Sequence, residues 1–289
     1  MGRLLLQILL PSLALLLSGC VPDGGSGETG DVPVAVSVAP QAWFVERLAP
    51  EGVSVRIMVP SGANPEEYDP APRDIARLEE SRLFLCTGTL PFEEMRVKGL
   101  SGTGTRVVRI AERLPQELLH PGEEVGHSHA HGDPHFWSSF EGGRVLARVT
   151  CEELVKLLPE DSLTLKQNCD SLIREIDDME EESRRLLRKE SGAGAFLIYH
   201  PSLTAFSREM GLRQLAVEQD GKEPSPGALA GLLSEAKEAG ARVMLVQKEF
   251  NPENSRVIAR EAGAKTVEIN PYDYDWAAQM RLIVEALAE

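Results

Sequence analysis

Four of the six histidines fall within nine residues: His127, His129 and His131 in alternation, then His135 after an Asp-Pro dipeptide. Imidazole is the common ligand for zinc and its neighbours. Alternating histidines in a flexible loop can chelate a cation without a preformed scaffold, although such a loop can also be a solvated spacer. His135 differs from the other three because it adjoins Phe136-Trp137, just ahead of Ser138-x-x-Glu141, a capping-box pattern that starts a helix and would hold the ring rigidly. His200 closes the apolar run Ala195–Tyr199 at its carboxyl end, where open α/β sheets present ligand groups. Glu66 and Glu67 follow a strand-like run within Asn64-Pro-Glu-Glu-Tyr-Asp-Pro70. By itself the segment reads as an exposed acidic turn; two His and a Glu would also resemble a hydrolytic zinc centre, with Glu67 as general base. No His-Glu-x-x-His spacing supports that catalytic reading.

The elements that must position these groups come in two series. Strand-like runs at 34–38, 53–59, 83–87 and 107–110, and again at 195–199, 215–217, 242–246 and 266–269, alternate with helical patterns. That alternation predicts an α/β fold of two βα lobes with mainly parallel four-stranded sheets. The lobes share punctuation: Asp69-Pro-Ala-Pro72 and Glu223-Pro-Ser-Pro226 each place proline in a first helical turn, where its missing N–H costs nothing. Between them Leu165, Cys169, Leu172, Ile176, Met179, Ser183 and Leu186 recur at alternating spacings of four and three, one stripe of a single helix over 162–189. At ~1.5 Å per residue it is about 42 Å long, enough to join both lobes as a spine. The expected division is therefore a leader over 1–19, an anchor and tether over 20–33, an N-terminal lobe over 34–160 with the His-rich loop at 120–135, the spine helix over 161–190, and a C-terminal lobe over 191–289.

Charge and the amino terminus set the compartment. Thirty Lys+Arg against 45 Asp+Glu give −15, and loss of a leader whose only charged side chain is Arg3 makes that −16. Nucleic acid and anionic lipid surfaces are poor partners for such a chain, while cations are attracted. The apolar run 4–17 is broken by Gln7 and Pro11 and is shorter than the ~18 residues a spanning helix needs. Together with Leu17-Ser18-Gly19-Cys20 it resembles a bacterial lipoprotein signal, which implies cleavage before Cys20 and a lipid on its thiol outside the cytoplasmic membrane. Of the other cysteines, Cys86 reads as a small core residue, while Cys151 and Cys169 flank a helical break at residue 160 from which a hairpin could bring them together.

Taken together, Asn64-Pro65-Glu66-Glu67-Tyr68-Asp69-Pro70-Ala71-Pro72, Asp133-Pro134-His135-Phe136-Trp137, Tyr199-His200-Pro201 with Phe206 and Gly211-Leu212, and Ile269-Asn270-Pro271 resemble the metal-binding segments of zinc/manganese substrate-binding lipoproteins of ABC importers. The likeness covers nearly all of the chain after the tether. It implies two lobes joined by one long helix with the metal between them. It further implies a monomeric, lipid-anchored receptor that captures Zn²⁺, with Mn²⁺ or iron as the alternative cargo, and delivers it to an importer permease and its ATPase without catalysis. Metal ligation is carried onto His135 and His200. The family's first ligand is usually a His, and here that position is Glu66. Its fourth is usually acidic, and here it is Asn270, so that Asn270 ligates, Asp273 or Asp275 substitutes, or water completes the set. Some relatives are described as adhesins, a function that nothing in this sequence supports independently.

Overall fold

The computed structural model describes residues 31–100, 102–119, 134–190, 194–218, 222–248 and 252–289. Two parallel four-stranded sheets form its frame. The first contains β1 (Val32–Val36), β2 (Val53–Ile57), β3 (Leu83–Cys86) and β4 (Arg106–Arg109) in the order β2-β1-β3-β4. The second contains β5 (Ala195–Ile198), β6 (Arg213–Ala216), β7 (Val243–Gln247) and β8 (Lys265–Ile269) in the order β6-β5-β7-β8. Their sequences explain the order. LFLC, AFLI and VMLVQ are buried at every position and occupy the middle of a sheet, whereas RVVR and KTVEI carry charges and lie at edges. In each sheet the chain leaves the first strand in one direction and returns to its other side, so a crevice opens at the carboxyl ends of β1 and β3 and of β5 and β7.

Parallel strands need crossovers, and helices supply them: α1 (Ala39–Leu48), α2 (Pro72–Glu79) and α3 (Pro91–Val97) in the first lobe. A one-turn α4 (Gln116–Leu119) precedes the segment expected to be a His-rich loop, and α5 (Phe140–Leu157) and α6 (Ser162–Glu190) follow. In the second lobe the crossovers are α7 (Thr204–Met210), α8 (Pro226–Glu238) and α9 (Pro252–Ala262), and α10 (Trp276–Ala288) ends the chain. As their prolines predict, α2 begins at Pro72 and α8 at Pro226. The spine is α6, which packs on α5, α10 and α1 through buried Leu165, Cys169, Leu172, Ile176, Met179, Ser183 and Leu187. Leu187 replaces the expected Leu186 because a 3.6-residue period drifts ahead of a strict four-three alternation.

Trp276 fastens α10 to α1 and to the start of α5. Its indole lies 5.7 Å from Trp43, 5.2 Å from Phe44 and 6.4 Å from Phe140, and its Nε1 donates to the Trp137 carbonyl at 2.6 Å. A side chain at Gly143 would bring a Cβ within 2.6 Å of that ring, which is why α5 carries glycine there. From the C-terminal lobe Glu209 reaches the start of α5, accepting hydrogen bonds from Phe140 N at 2.8 Å and Glu141 N at 2.7 Å. Burial lifts its carboxyl to about 7 in spite of those donors.

Other sequence expectations need correction. The tether was expected to run through Pro33, but Val32 and Pro33 already belong to β1, with Val32 N bonded to Gly52 O at 2.8 Å. Proline is tolerated there because its polar side faces β3, where its carbonyl accepts from Arg82 N, and the ladder with β3 begins only at Val34, so no donor is required of it. The cap of α5 is Ser139, not Ser138: its hydroxyl accepts from Gly142 N at 3.0 Å and donates to Phe136 O at 2.7 Å. Cys151 and Cys169 do face one another's helices across the hairpin, bonding Leu165 O at 3.5 Å and Ala147 O at 3.7 Å, and both are thiols. Cys20, Asp133 and His127, His129 and His131 lie outside the described residues. Among the described residues no helix is long and apolar enough to cross a membrane.

Candidate metal centre

Three loops converge on one point. The first follows β2, where Asn64 folds the chain into a turn: its Oδ1 accepts from Glu66 N at 3.0 Å and its carbonyl accepts from Glu67 N at 3.2 Å. This turn aims Glu66 inward, a quarter exposed, and leaves Glu67 on the surface. The second is the turn before α5. There His135 is buried, with its carbonyl bonded to Ser138 N at 2.8 Å. Gly142 makes the turn fit, since a Cβ on it would lie 1.8 Å from the Phe136 carbonyl oxygen. The third loop begins at the end of β5, where the backbone N–H of His200 donates to Gln247 Oε1 at 2.9 Å.

Glu66 Oε1 lies 3.3 Å from His135 Nε2 and 3.1 Å from His200 Nε2, and one donor atom from each of the three residues falls within 4.8 Å of the others. The two imidazoles are 5.0 Å apart, centroid to centroid, and nearly perpendicular at 70°. His200 Nδ1 faces Glu218 Oε1 at 3.2 Å. Burial opposes charge on the His200 ring, but its hydrogen bonds to Glu218 and Glu66 and their negative charges outweigh it and raise its pKa to about 9. A ring gripped by a carboxylate through one nitrogen and presenting the other inward is the arrangement that orients histidine toward a cation.

The expected fourth-position residues are engaged elsewhere. Asn270 Oδ1 accepts from Tyr272 N at 3.1 Å, its Nδ2 donates to Asp273 Oδ2 at 3.3 Å, and Asp273 Oδ1 accepts from Asp275 N at 3.1 Å. Asp275 itself caps α10. Two residues that sequence reasoning missed touch the cluster: Glu218, and Tyr272, whose hydroxyl is 2.7 Å from His135 Nε2. Glu218 stands directly after β6, so the same carboxyl-end rule that singled out His200 applied to it. Tyr272 had no signal beyond its place between Asn270 and Asp273.

Two α/β lobes on a long helix, with imidazoles and a carboxylate converging between them, define a metal-receptor class of protein rather than a scaffold for bond-breaking chemistry, and Glu67, the one candidate general base, is exposed and outside the cluster. Residues 34–289 match the family described as zinc-uptake complex component A, periplasmic, and the chain belongs to that ZnuA family. It is 25% identical over 276 residues to the high-affinity zinc uptake system protein ZnuA of Bacillus subtilis strain 168, an alignment covering 89% of this chain and 84% of the relative. It is 23% identical to the zinc-binding lipoprotein AdcA of Streptococcus pneumoniae strain R6, covering 93% of this chain but 55% of AdcA. The chain thus spans about half the length of AdcA. The crystal structure of a ZnuA deletion mutant with zinc bound superposes with a TM-score of 0.79 at 26% identity, covering 89% of this chain and 96% of that one. The family consists of substrate-binding receptors of ABC uptake systems and not of enzymes, which sets aside the hydrolase reading.

Proposed function

We propose that this chain captures Zn²⁺ outside the cytoplasmic membrane with Glu66, His135 and His200 and hands it to the permease of an ABC importer driven by a partner ATPase. The observation that carries the ligand assignment is the spacing of the donors. Two atoms bound tetrahedrally at ~2.0 to 2.1 Å from zinc stand roughly 3.3 Å apart. The Glu66–His135 and Glu66–His200 separations of 3.3 and 3.1 Å match that edge. Nitrogen from two of the three groups favours zinc over manganese, which prefers oxygen-rich sets. Lipid attachment at Cys20, a monomeric state, a lobe-spine-lobe division at 32–160, 161–190 and 191–289, and a weaker metal-gathering role for His127, His129 and His131 complete the reading; apart from the start of the first lobe at β1, they rest on the sequence pattern and its resemblance.

Zinc affinity measured by competition with a chelator of known strength tests the assignment. Glu66→Gln should weaken binding at least tenfold, on the order of 1.4 kcal/mol, while Glu67→Gln should leave it unchanged. Equal zinc affinity for wild type and Glu66→Gln would remove Glu66 from the site.

A further inference from the structure

A tetrahedral zinc bound by Glu66, His135 and His200 lacks one donor. The loop between β8 and α10 offers five polar side chains. Asn270, Asp273 and Asp275 spend theirs on the loop's own turns and on the cap of α10, and the Tyr274 hydroxyl bonds Glu46. Tyr272 alone of the five is bonded to one of the three ligands, with its hydroxyl 2.7 Å from His135 Nε2, the nitrogen that also faces Glu66. Glu218 is the other oxygen donor close by, but it meets His200 at Nδ1, on the far side of the ring from the nitrogen that faces Glu66.

Tyr272 is also held in place. Its ring packs against His135 at 5.8 Å and Trp137 at 5.9 Å, the neighbouring Pro271 carbonyl accepts from Trp137 Nε1 at 3.0 Å, and its own N–H is bonded by Asn270. Asn270 therefore serves the site indirectly, by fixing the turn that carries the tyrosine. The hydroxyl and His135 Nε2 are closer than the roughly 3.3 Å edge of a zinc tetrahedron, so metal binding requires the phenol to stand about 0.6 Å farther from the ring.

We propose that Tyr272 is the fourth protein ligand of the metal, its phenol oxygen standing where a carboxylate or water would otherwise complete the set. This inference rests on the zinc reading of Glu66, His135 and His200. Its consequence is a site of two nitrogen and two oxygen donors with a single carboxylate, which falls short of the oxygen-rich surroundings that suit manganese.

The test uses the mature chain loaded with Zn²⁺ for affinity and with Co²⁺ for its visible ligand-field spectrum, which reports the donor set directly. Tyr272→Phe should raise the zinc Kd about tenfold, and it should change the cobalt spectrum as water replaces the phenol. Wild-type affinity with an unchanged spectrum would overturn the proposal. So would tighter zinc binding, which would make the hydroxyl a competitor for His135, and so would weaker binding with an unchanged spectrum, which would make Tyr272 a support for the His135 ring. Glu66→Gln and His200→Ala are run in parallel. If they bind zinc as wild type does, the site itself has been misassigned; if they lose zinc while Tyr272→Phe behaves as wild type, the fourth ligand alone has.

Discussion

In the first sheet the crevice between β1 and β3 is filled by Gln41 and Glu93; in the second, the matching crevice between β5 and β7 holds Gln247 and His200, with Glu218 alongside. The two glutamines do similar work. Gln41 Oε1 accepts from Ser37 N and Val38 N at 3.0 Å and its amide donates to Leu85 O at 3.0 Å, while Gln247 Oε1 accepts from His200 N and its amide donates to Ser202 Oγ at 2.7 Å. The acids diverge. Both oxygens of Glu93 are occupied by protein donors: the hydroxyls of Ser37 and Thr87 and the backbone N–H groups of Thr87, Gly88 and Leu90. Glu218 grips one nitrogen of His200 and leaves the other to face Glu66. The same architectural place thus yields a sealed structural knot in one lobe and an inward-facing ligand in the other. What separates them is whether the protein itself consumes every lone pair.

The largest effect should come from cutting the knot. Glu93→Ala would leave the N–H groups of Thr87, Gly88 and Leu90 buried without their acceptor, at roughly 1 to 3 kcal/mol each, so we expect a loss of about 4 kcal/mol in denaturant unfolding. Zinc affinity of the surviving folded fraction should be unchanged, because none of these groups lies in the metal cluster. A loss below about 1 kcal/mol would mean that the crevice relaxes around the missing acid.

Glu209, which joins the C-terminal lobe to the start of α5, tests the contact between the lobes by pH. Its folded pKa of about 7 lies above the ordinary glutamate value of 4.5, so between the two the native state holds a proton that the unfolded chain has released. The associated stability is fully present below about pH 4.5 and is lost as pH rises through about 7, a swing on the order of 3 kcal/mol at most. Glu209→Gln cannot ionise. Its stability relative to wild type should therefore improve between pH 5 and pH 8, as measured by urea unfolding at each pH. A constant difference across that range would show that the two N–H donors of α5 keep the carboxylate charged throughout.

In the open crevice the reverse pattern is expected. Glu218→Ala should lower stability by less than about 1 kcal/mol but weaken zinc binding by roughly 10- to 100-fold, since it removes the group that orients His200. Chelator competition gives the affinity and urea unfolding the stability. If stability falls as far as in Glu93→Ala while affinity holds, the contrast between the lobes disappears.

How much of this was legible in the sequence follows from the range of the interactions involved. All eight strands, and the start of α2 and of α8 at their prolines, are local features set by residue type and period. That Glu66, His135 and His200 come together, with donor atoms within 4.8 Å of one another, was legible because their types are chemically distinctive and their neighbours hold them in turns. Tyr272 was not found, because its role depends on contact with His135, 137 residues away in sequence, and a tyrosine after a proline is ordinary loop composition. Choosing Asn270 and Asp273 from type alone overlooked the loop's own demand for acceptors, which those side chains meet. The capping motif at 138–141 failed by one residue for a related reason. Two serines stand side by side, and only the packing of Gly142 on the Phe136 carbonyl decides which of them caps the helix.

Those two serines give the smallest and most local test of how the N-terminal lobe delivers its ligand. Ser139 links the first turn of α5 to the turn that carries His135, accepting from Gly142 N and donating to Phe136 O. Ser138 is equally buried, and its hydroxyl meets no partner among the described residues. Ser139→Ala removes an N-cap and should cost about 1 kcal/mol of stability. Because the lost bond to Phe136 O lies one residue from His135, zinc affinity should also fall, by a few-fold. Ser138→Ala removes a buried hydroxyl that the described residues do not satisfy, so it should cost less than about 0.5 kcal/mol or stabilise slightly, and it should leave affinity alone. Thermal unfolding and chelator competition on the two variants side by side measure both quantities. Equal losses from the two substitutions would mean that His135 is fixed by the packing of Trp137 and Tyr272 alone, and that the N-terminal lobe holds its ligand by ring contacts rather than by the hydrogen-bonded turn.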